Sequence, residues 1–227
     1  RHISRCRTFE EFQRMASSRA NLVLAPTGVQ AAKEMERALG IPFLLLPVSY
    51  HIGEIEAGYR QLRDFLAPSD AEPDLSAECA AALRAVEAAL RAVGDRPVIV
   101  DASAVTRPFG LARALLEYGF SVRRVVAQKC IPIDRESLDW LEENRPDVEL
   151  VQPGHHRAVR FEGRLAEALA IGVDGAYLAG ARRVVDLFAD GALFGFHGLR
   201  VLMERMRAAA EAETDLERLI ESYGLVV

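Results

Sequence analysis

Four of the five histidines, His51, His155, His156 and His197, fall in stretches whose composition reads as loop. Near neutral pH an imidazole binds metal or moves a proton, although exposed loops also collect polar side chains for no chemical reason. His155 and His156 are adjacent, and Cys130 lies at the end of a neighbouring strand-like run. Arg107 and Arg182 add fixed positive charge, which suits an anionic ligand. Near the C-terminus the stretch F-A-D-G-A-L-F-G-F-H-G-L, residues 188–199, packs three glycines, three phenylalanines and His197 into twelve positions. Glycines there let backbone come close to whatever fills a pocket.

Several familiar chemistries have no matching motif. No G-x-G-x-x-G lies between a strand and a helix, and no G-x-x-x-x-G-K-[ST] is present, so the chain itself is not expected to hydrolyse ATP. H-E-x-x-H and G-x-S-x-G are also missing.

The elements that must position these residues alternate between short apolar runs and amphipathic helices, the pattern of a parallel α/β sheet. Strands are expected over residues 2–6, 21–25, 43–46, 97–101, 121–127, 148–151 and 175–178. Helices are expected over 28–39, 53–66, 107–118, 135–143, 161–171, 199–212 and 216–223. Thr8 and Glu11 form a capping box for a further short helix, and Gly40 is placed to end the helix before it. The polar segment A-P-S-D-A-E-P-D, residues 67–74, marks a boundary, and the alanine-rich stretch after it favours helix intrinsically. The organisation read from this is two doubly wound parallel-sheet (Rossmann-like) domains joined by a crossing helix. The bounds are 1–72 for the first domain, 73–94 for the helix, 95–198 for the second domain and 199–227 for C-terminal helices.

In such sheets ligands gather at the carboxyl ends of the strands. That rule nominates the loops at residues 26–28, 47–51, 101–107, 128–130, 152–156 and 180–182.

With 227 residues there is room for one large or two small domains. A net charge of −5 argues against a general nucleic-acid binder. Basic residues are nearly all arginine; the lysines are Lys33 and Lys129. Cys6, Cys79 and Cys130 show no C-x-x-C spacing, which fits a reducing cytoplasm better than a disulfide framework. No apolar run approaches a membrane span, so no membrane partner is expected. Because the chain opens on Arg1 and not Met, a fragment of a longer protein is expected.

Several stretches resemble the nitrogenase component 1 family, which includes the catalytic subunits of nitrogenase, cofactor-assembly scaffolds and the dark-operative protochlorophyllide and chlorophyllide reductases. A-N-L-V-L-A-P-T-G with A-A-K-E-M-E-R-A-L-G-I-P resembles the family's strand, helix and "G-I-P" turn. T-R-P-F-G-L-A-R-A-L-L-E-Y-G-F-S-V, residues 106–122, is similar to its "L-R-P…L-x-x-L-G-M-x-V" segment. A-I-G-V-D-G-A-Y-L-A-G-A-R and G-A-L-F-G-F-H-G-L resemble its closing motifs. The likeness runs over essentially the whole chain and corresponds to the C-terminal portion of such a subunit.

The resemblance implies roles. In the cofactor-carrying subunit a histidine of the closing loop and a cysteine after the first domain's strand ligate the iron–molybdenum cofactor. Phe194 and Ala25 fall on those two positions, and His197 falls where the family has an aspartate. Arg107, in T-R-P, matches an arginine facing the cofactor. Gly180, Ala181 and Arg182 match a glycine–apolar–lysine stretch that lines it. The reading that follows is a fragment of a nitrogenase-like oxidoreductase subunit that reduces a bound substrate with electrons from an ATP-hydrolysing iron–sulfur reductase protein and pairs with a second nitrogenase-like subunit. Ala25, Pro26, Thr27, Gly28 and Phe194 would wall the substrate, Arg107 and Arg182 would hold its anions, and His155, His156 or His197 would donate protons. An iron–sulfur or other metal cluster is implied for the full-length assembly, and none is expected in this fragment alone. Two other readings stand beside it: a non-catalytic scaffold for metal-cluster assembly, and a small-molecule-binding α/β protein without redox chemistry.

Overall fold

The computed structural model describes residues 6–68, 71–156, 163–188, 190, 193–222 and 224. Contacts divide the chain into two units, Arg1–Pro47 with Ala57–Pro73 and Val48–Glu56 with Asp74–Val227. The fold is α/β, built on parallel sheets.

In the first unit α1 (Phe9–Gln13) and a 3₁₀ turn (Arg14–Ser17) precede β1 (Asn21–Val23). A second 3₁₀ turn, Pro26–Gly28, leads into α2 (Val29–Leu39), and β2 (Phe43–Leu45) then pairs parallel to β1, Leu22 against Leu44. Gly40 ends α2 in the left-handed conformation. At α1 the Thr8 hydroxyl accepts the Glu11 N–H at 3.2 Å, while the Glu11 carboxylate accepts the N–H of Arg7 at 2.7 Å. The carboxylate thus reaches one residue beyond the donor a capping box uses. α3 (Ile52–Leu66) carries the division between the units within its length.

The second unit begins its sheet after α4 (Ser76–Val93) with β3 (Pro97–Asp101). Then come α5 (Pro108–Glu117), β4 (Ser121–Val126), a 3₁₀ turn (Pro132–Asp134), α6 (Arg135–Asn144) and β5 (Glu149–Val151). β6 (Leu169–Ile171), α7 (Val173–Ala179), β7 (Arg183–Val185), α8 (Gly195–Glu211) and α9 (Leu216–Ser222) complete it. The strand order is β5-β4-β3-β6-β7 and every pairing is parallel. Chain order therefore runs outward from β3 on one side and from β6 on the other, and the switch point lies between them. Val98, Ile99 and Val100 are all fully buried although successive side chains face opposite ways, so both faces of the central strand are covered. One cover is small-residue packing: Ala170, Ala176, Ala179 and Ala181 close on Ile99 and Val184. Bulkier Leu111, Leu115, Leu202 and Met206 are buried from α5 and α8, each contributing about 1.5–3 kcal/mol. A bulge in β4 at Arg123 resets the register, and Arg124 then lies opposite Glu149, its guanidinium on that carboxylate at 2.8 Å.

Three expected elements differ. Residues 175–178 are not a strand but part of α7. Residues 161–171 contain no helix among those described, and Leu169–Ile171 form β6 instead; residues 161 and 162 lie outside the described residues. A three-residue apolar run carries no period of its own, and the alanine-rich surroundings mimic helix. α8 begins at Gly195, four positions before the expected start. Gly198 explains the early start: a Cβ there would stand 2.6 Å from the Leu193 carbonyl carbon, so only glycine lets this first turn pack on the loop before it. The strand expected over residues 2–6 lies, except for Cys6, outside the described residues. Among the described residues no helix is long and apolar enough to cross a membrane.

Candidate functional site

The carboxyl edge of the five-stranded sheet is built around three buried aspartates, none of which stood out in the sequence. Asp101 ends β3. One of its oxygens accepts the Ser103 N–H at 2.7 Å and the other accepts the Gly175 N–H at 2.6 Å, inside the first turn of α7. Asp134 precedes α6 but does not cap it. It turns instead to α5, accepting the N–H groups of Phe109 at 2.9 Å and Gly110 at 2.8 Å. Burial pushes both carboxyls above the ordinary range. Arg107 and the two N–H donors pull Asp134 partly back. The backbone donors do the same for Asp101, which Asp174 pushes further up.

The third aspartate, Asp190, is a non-glycine residue at φ 63. Its carboxylate accepts hydrogen bonds from the hydroxyls of Tyr50 and Thr106 and from the Thr106 N–H at 3.0 Å. Its own N–H donates to Ala104 O at 2.7 Å. The loop after β7 is thereby fixed to the loop after β3 and to segment Val48–Glu56. Burial first, and then the Asp190 carboxylate, push the Tyr50 phenol well above its ordinary value.

Segment Val48–Glu56 is held along α5 at further points. The Tyr118 hydroxyl donates to Tyr50 O at 3.0 Å and accepts the Ile52 N–H at 2.9 Å, and burial pushes its phenol up to about 12. His51 stacks on the Tyr118 ring and places Nε2 3.5 Å from Glu117. Its Nδ1 accepts the Gly53 N–H, which leaves Nε2 as the protonated nitrogen facing that carboxylate. Arg107 donates to Val48 O at 3.2 Å and lies 3.5 Å from both Glu54 and Asp134. The Nε–Asp134 approach brings opposite charges together without hydrogen-bond alignment, so Nε is buried without a partner.

Beside this network, at the ends of β3 and β4, is a pocket of about 400 Å³. The loop after β3 contributes Ser103, Val105 and Thr106; that after β4 contributes Gln128, Lys129 and Ile131; Phe188 closes it from the loop after β7. Gln128 is positioned by its neighbours: its side-chain oxygen accepts the Gly154 N–H and its carbonyl accepts the Gln152 amide, both at 2.8 Å.

The sequence-nominated residues are distributed unevenly. Arg107 lies at this edge, but its charge already faces Asp134 and Glu54. Phe194 is the extended residue before α8, and His197 is exposed on that helix's first turn. His155 and His156 are exposed in the loop after β5, their rings 4.2 Å apart. Gly180, Ala181 and Arg182 were nominated because residues 175–178 read as a strand. That stretch is α7, so the three residues enter β7 and lie at the amino edge of the sheet, opposite to Arg107. There Gly180 ends α7, Ala181 is core, and Arg182 is exposed, 3.7 Å from Glu213. In the first unit Ala25 precedes the turn formed by Pro26, Thr27 and Gly28.

These residues do not fit a nitrogenase-type metal cluster. Ala25 and Phe194 carry no ligating atom. Cys6, Cys79 and Cys130 lie on separate segments of the chain, and burial pushes the thiol of Cys130 up. Among the described residues no three His, Cys, Asp or Glu side chains converge as a metal site.

Comparison with known proteins agrees with the architecture. Residues 1–211 match the family model described as nitrogenase component 1 type oxidoreductase. No curated protein matches the chain. Among solved structures, one titled "Nitrogenase Cp1 at pH 6.5" superposes with a TM-score of 0.62 at 16% identity, covering 87% of this chain and 46% of that one. At that identity the likeness speaks for the fold alone, and this chain spans about half the length of its counterpart. The family match extends over nearly the whole sequence, and on that ground the chain belongs to the nitrogenase component 1-type oxidoreductases.

Proposed function

We propose that this chain is the C-terminal portion of a nitrogenase-like oxidoreductase subunit. In the full assembly it reduces a bound substrate with electrons delivered by an ATP-hydrolysing iron–sulfur protein, beside a second nitrogenase-like subunit, in the cytoplasm. The observation that carries the reading is the family match over residues 1–211. The pocket at the ends of β3 and β4 supplies a place for a substrate where α/β sheets ordinarily bind one. By the resemblance, Phe194 and Ala25 to Gly28 wall the substrate. Arg107 serves as a structural charge, spent on Val48, Glu54 and Asp134. The donor set of this chain does not fit a metal cluster, so electrons reach the substrate from clusters held elsewhere in the assembly.

The test uses full-length protein purified without oxygen together with its second subunit. Mixed with the reduced iron–sulfur protein, it should take up electrons only when MgATP is hydrolysed, with a matching change in its electron paramagnetic resonance spectrum. No uptake under any nucleotide condition overturns the reading. The mainly apolar lining of the pocket favours a second one in that event, a small-molecule-binding α/β protein without redox chemistry.

A further inference from the structure

We infer that the pocket at the ends of β3 and β4 takes a small organic anion with an apolar body, its charge paired by Lys129. The inference rests on reading this pocket as the substrate site and names the substrate class.

The walls come first. Ala102, Val105, Pro108, Ile131 and Phe188 give the pocket a mainly apolar surface, and Phe188 is 64% exposed, so its ring offers a face for a ligand to cover. A volume of about 400 Å³ falls within the range that encloses drug-sized molecules.

The polar groups decide the rest. The Thr106 hydroxyl is committed to Asp190, and the Gln128 oxygen to Gly154. The Ser103 hydroxyl is closed off from the pocket and lies against the Asp101 carboxylate. One group keeps capacity. The Lys129 ammonium makes no ion pair among the described residues. Arg107 is already spent on Asp134 and Glu54, so Lys129 is the cation that the pocket lining offers.

The same inventory argues against a phosphate-bearing ligand. Phosphate sites in α/β sheets use the N–H groups at helix starts. Here the start of α5 already holds the Asp134 carboxylate and that of α7 holds Asp101. One ammonium beside an apolar pocket matches a carboxylate or sulfonate on a hydrocarbon or aromatic body.

The test titrates this chain calorimetrically, at low ionic strength, with naphthalene-2-acetate and with its neutral amide. The acid should bind about fivefold to tenfold tighter, the effect of one partly solvated charge-assisted hydrogen bond. Lys129→Met should bring the pair to parity and Lys129→Arg should keep the preference. Phe188→Ala should weaken both compounds by the same several-fold factor. Lys129 and Phe188 are exposed, so circular dichroism should be unchanged in all three variants. Inorganic phosphate and ATP should not compete. Failure of both compounds to bind, equal binding by the unaltered chain, competition by phosphate, or a preference that survives Lys129→Met overturns the inference. Acid-selective binding without ATP-dependent electron uptake would keep it and remove the redox reading; uptake without acid selectivity would do the reverse.

Discussion

Asp101 and Asp134 solve one problem in two ways. Each is buried, each sits at the carboxyl edge of the sheet, and each accepts two backbone N–H groups, at least one of them at the start of a helix. Asp134 has an arginine 3.5 Å away; Asp101 makes no ion pair among the described residues and has Asp174 nearby instead. The difference teaches that backbone donors suffice to hold a buried carboxylate here. The arginine beside Asp134 must serve something further, and its other contacts say what. Arg107 reaches Val48 and Glu54, so it ties segment Val48–Glu56 to the start of α5. An arginine that reads as ligand-binding in sequence is a joint in the structure.

The comparison breaks most easily at Asp134. Asp134→Ala removes both acceptors and leaves a mostly buried guanidinium facing only the half-exposed Glu54, so it should cost about 3–5 kcal/mol. Asp101→Ala removes two acceptors but strands no charge, and should cost about 2–3 kcal/mol. Urea unfolding measures both, and equal losses would erase the distinction. A double-mutant cycle sharpens it. Arg107→Met should couple to Asp134→Ala by about 1 kcal/mol or more, and combine additively with Asp101→Ala.

Gly172 tests the Asp101 side alone. It sits at φ 108, and a Cβ on it would lie 2.8 Å from that of Asp101 and 3.0 Å from that of Ala104. Gly172→Ala therefore meets backbone strain and a clash that displaces Asp101 from Gly175. The expected cost is about 2–3 kcal/mol, with the Gly175 amide losing protection from hydrogen exchange. Protection kept at full stability would show that the close approach is dispensable.

Protonation gives a smaller, directional test. The Asp101 carboxyl is raised in the folded state, so the unfolded chain ionises first as pH rises. Its contribution to stability is fully present below the ordinary aspartate pKa, about 3.9, and is lost as pH rises through the folded value. Asp101→Asn cannot ionise. Whatever constant penalty it pays for a lost acceptor, its stability should improve relative to the parent chain between about pH 4 and the folded pKa. A gap independent of pH would mean that burial does not raise this carboxyl.

These aspartates also mark where the sequence was legible. The α/β alternation was visible because β3, β4, α5 and α8 are long enough to show their period. The loops at residues 101–107 and 128–130 were nominated correctly as lying after strands, and six of the residues lining the pocket fall within them. What could not be seen was partnership. Asp101 joins Gly175 across 74 positions and Asp190 joins Tyr50 across 140, and neither spacing carries a local signal. Asp134 directly precedes one helix and serves another. Arg182 was misplaced for a different reason: the short stretch at 175–178 has no decisive period, and reading it as strand moved the following loop to the wrong edge of the sheet.

The smallest effect belongs to the same device used in the open. In the first unit Thr8 caps α1 through the Glu11 N–H, on a helix with no buried residue. An exposed cap loses only its bond when removed, because water replaces the acceptor and no charge is stranded. Thr8→Ala should cost about 1 kcal/mol, felt within α1 as faster exchange of the Glu11 amide, with the urea midpoint of the second unit unmoved. The contrast with Asp101 then isolates burial as the variable: both side chains accept backbone N–H groups near a helix start, and only one must do so away from water. If Thr8→Ala lowered stability as much as Asp101→Ala, burial would not be what makes these caps expensive to lose, and the distinction between the two aspartates would need another cause.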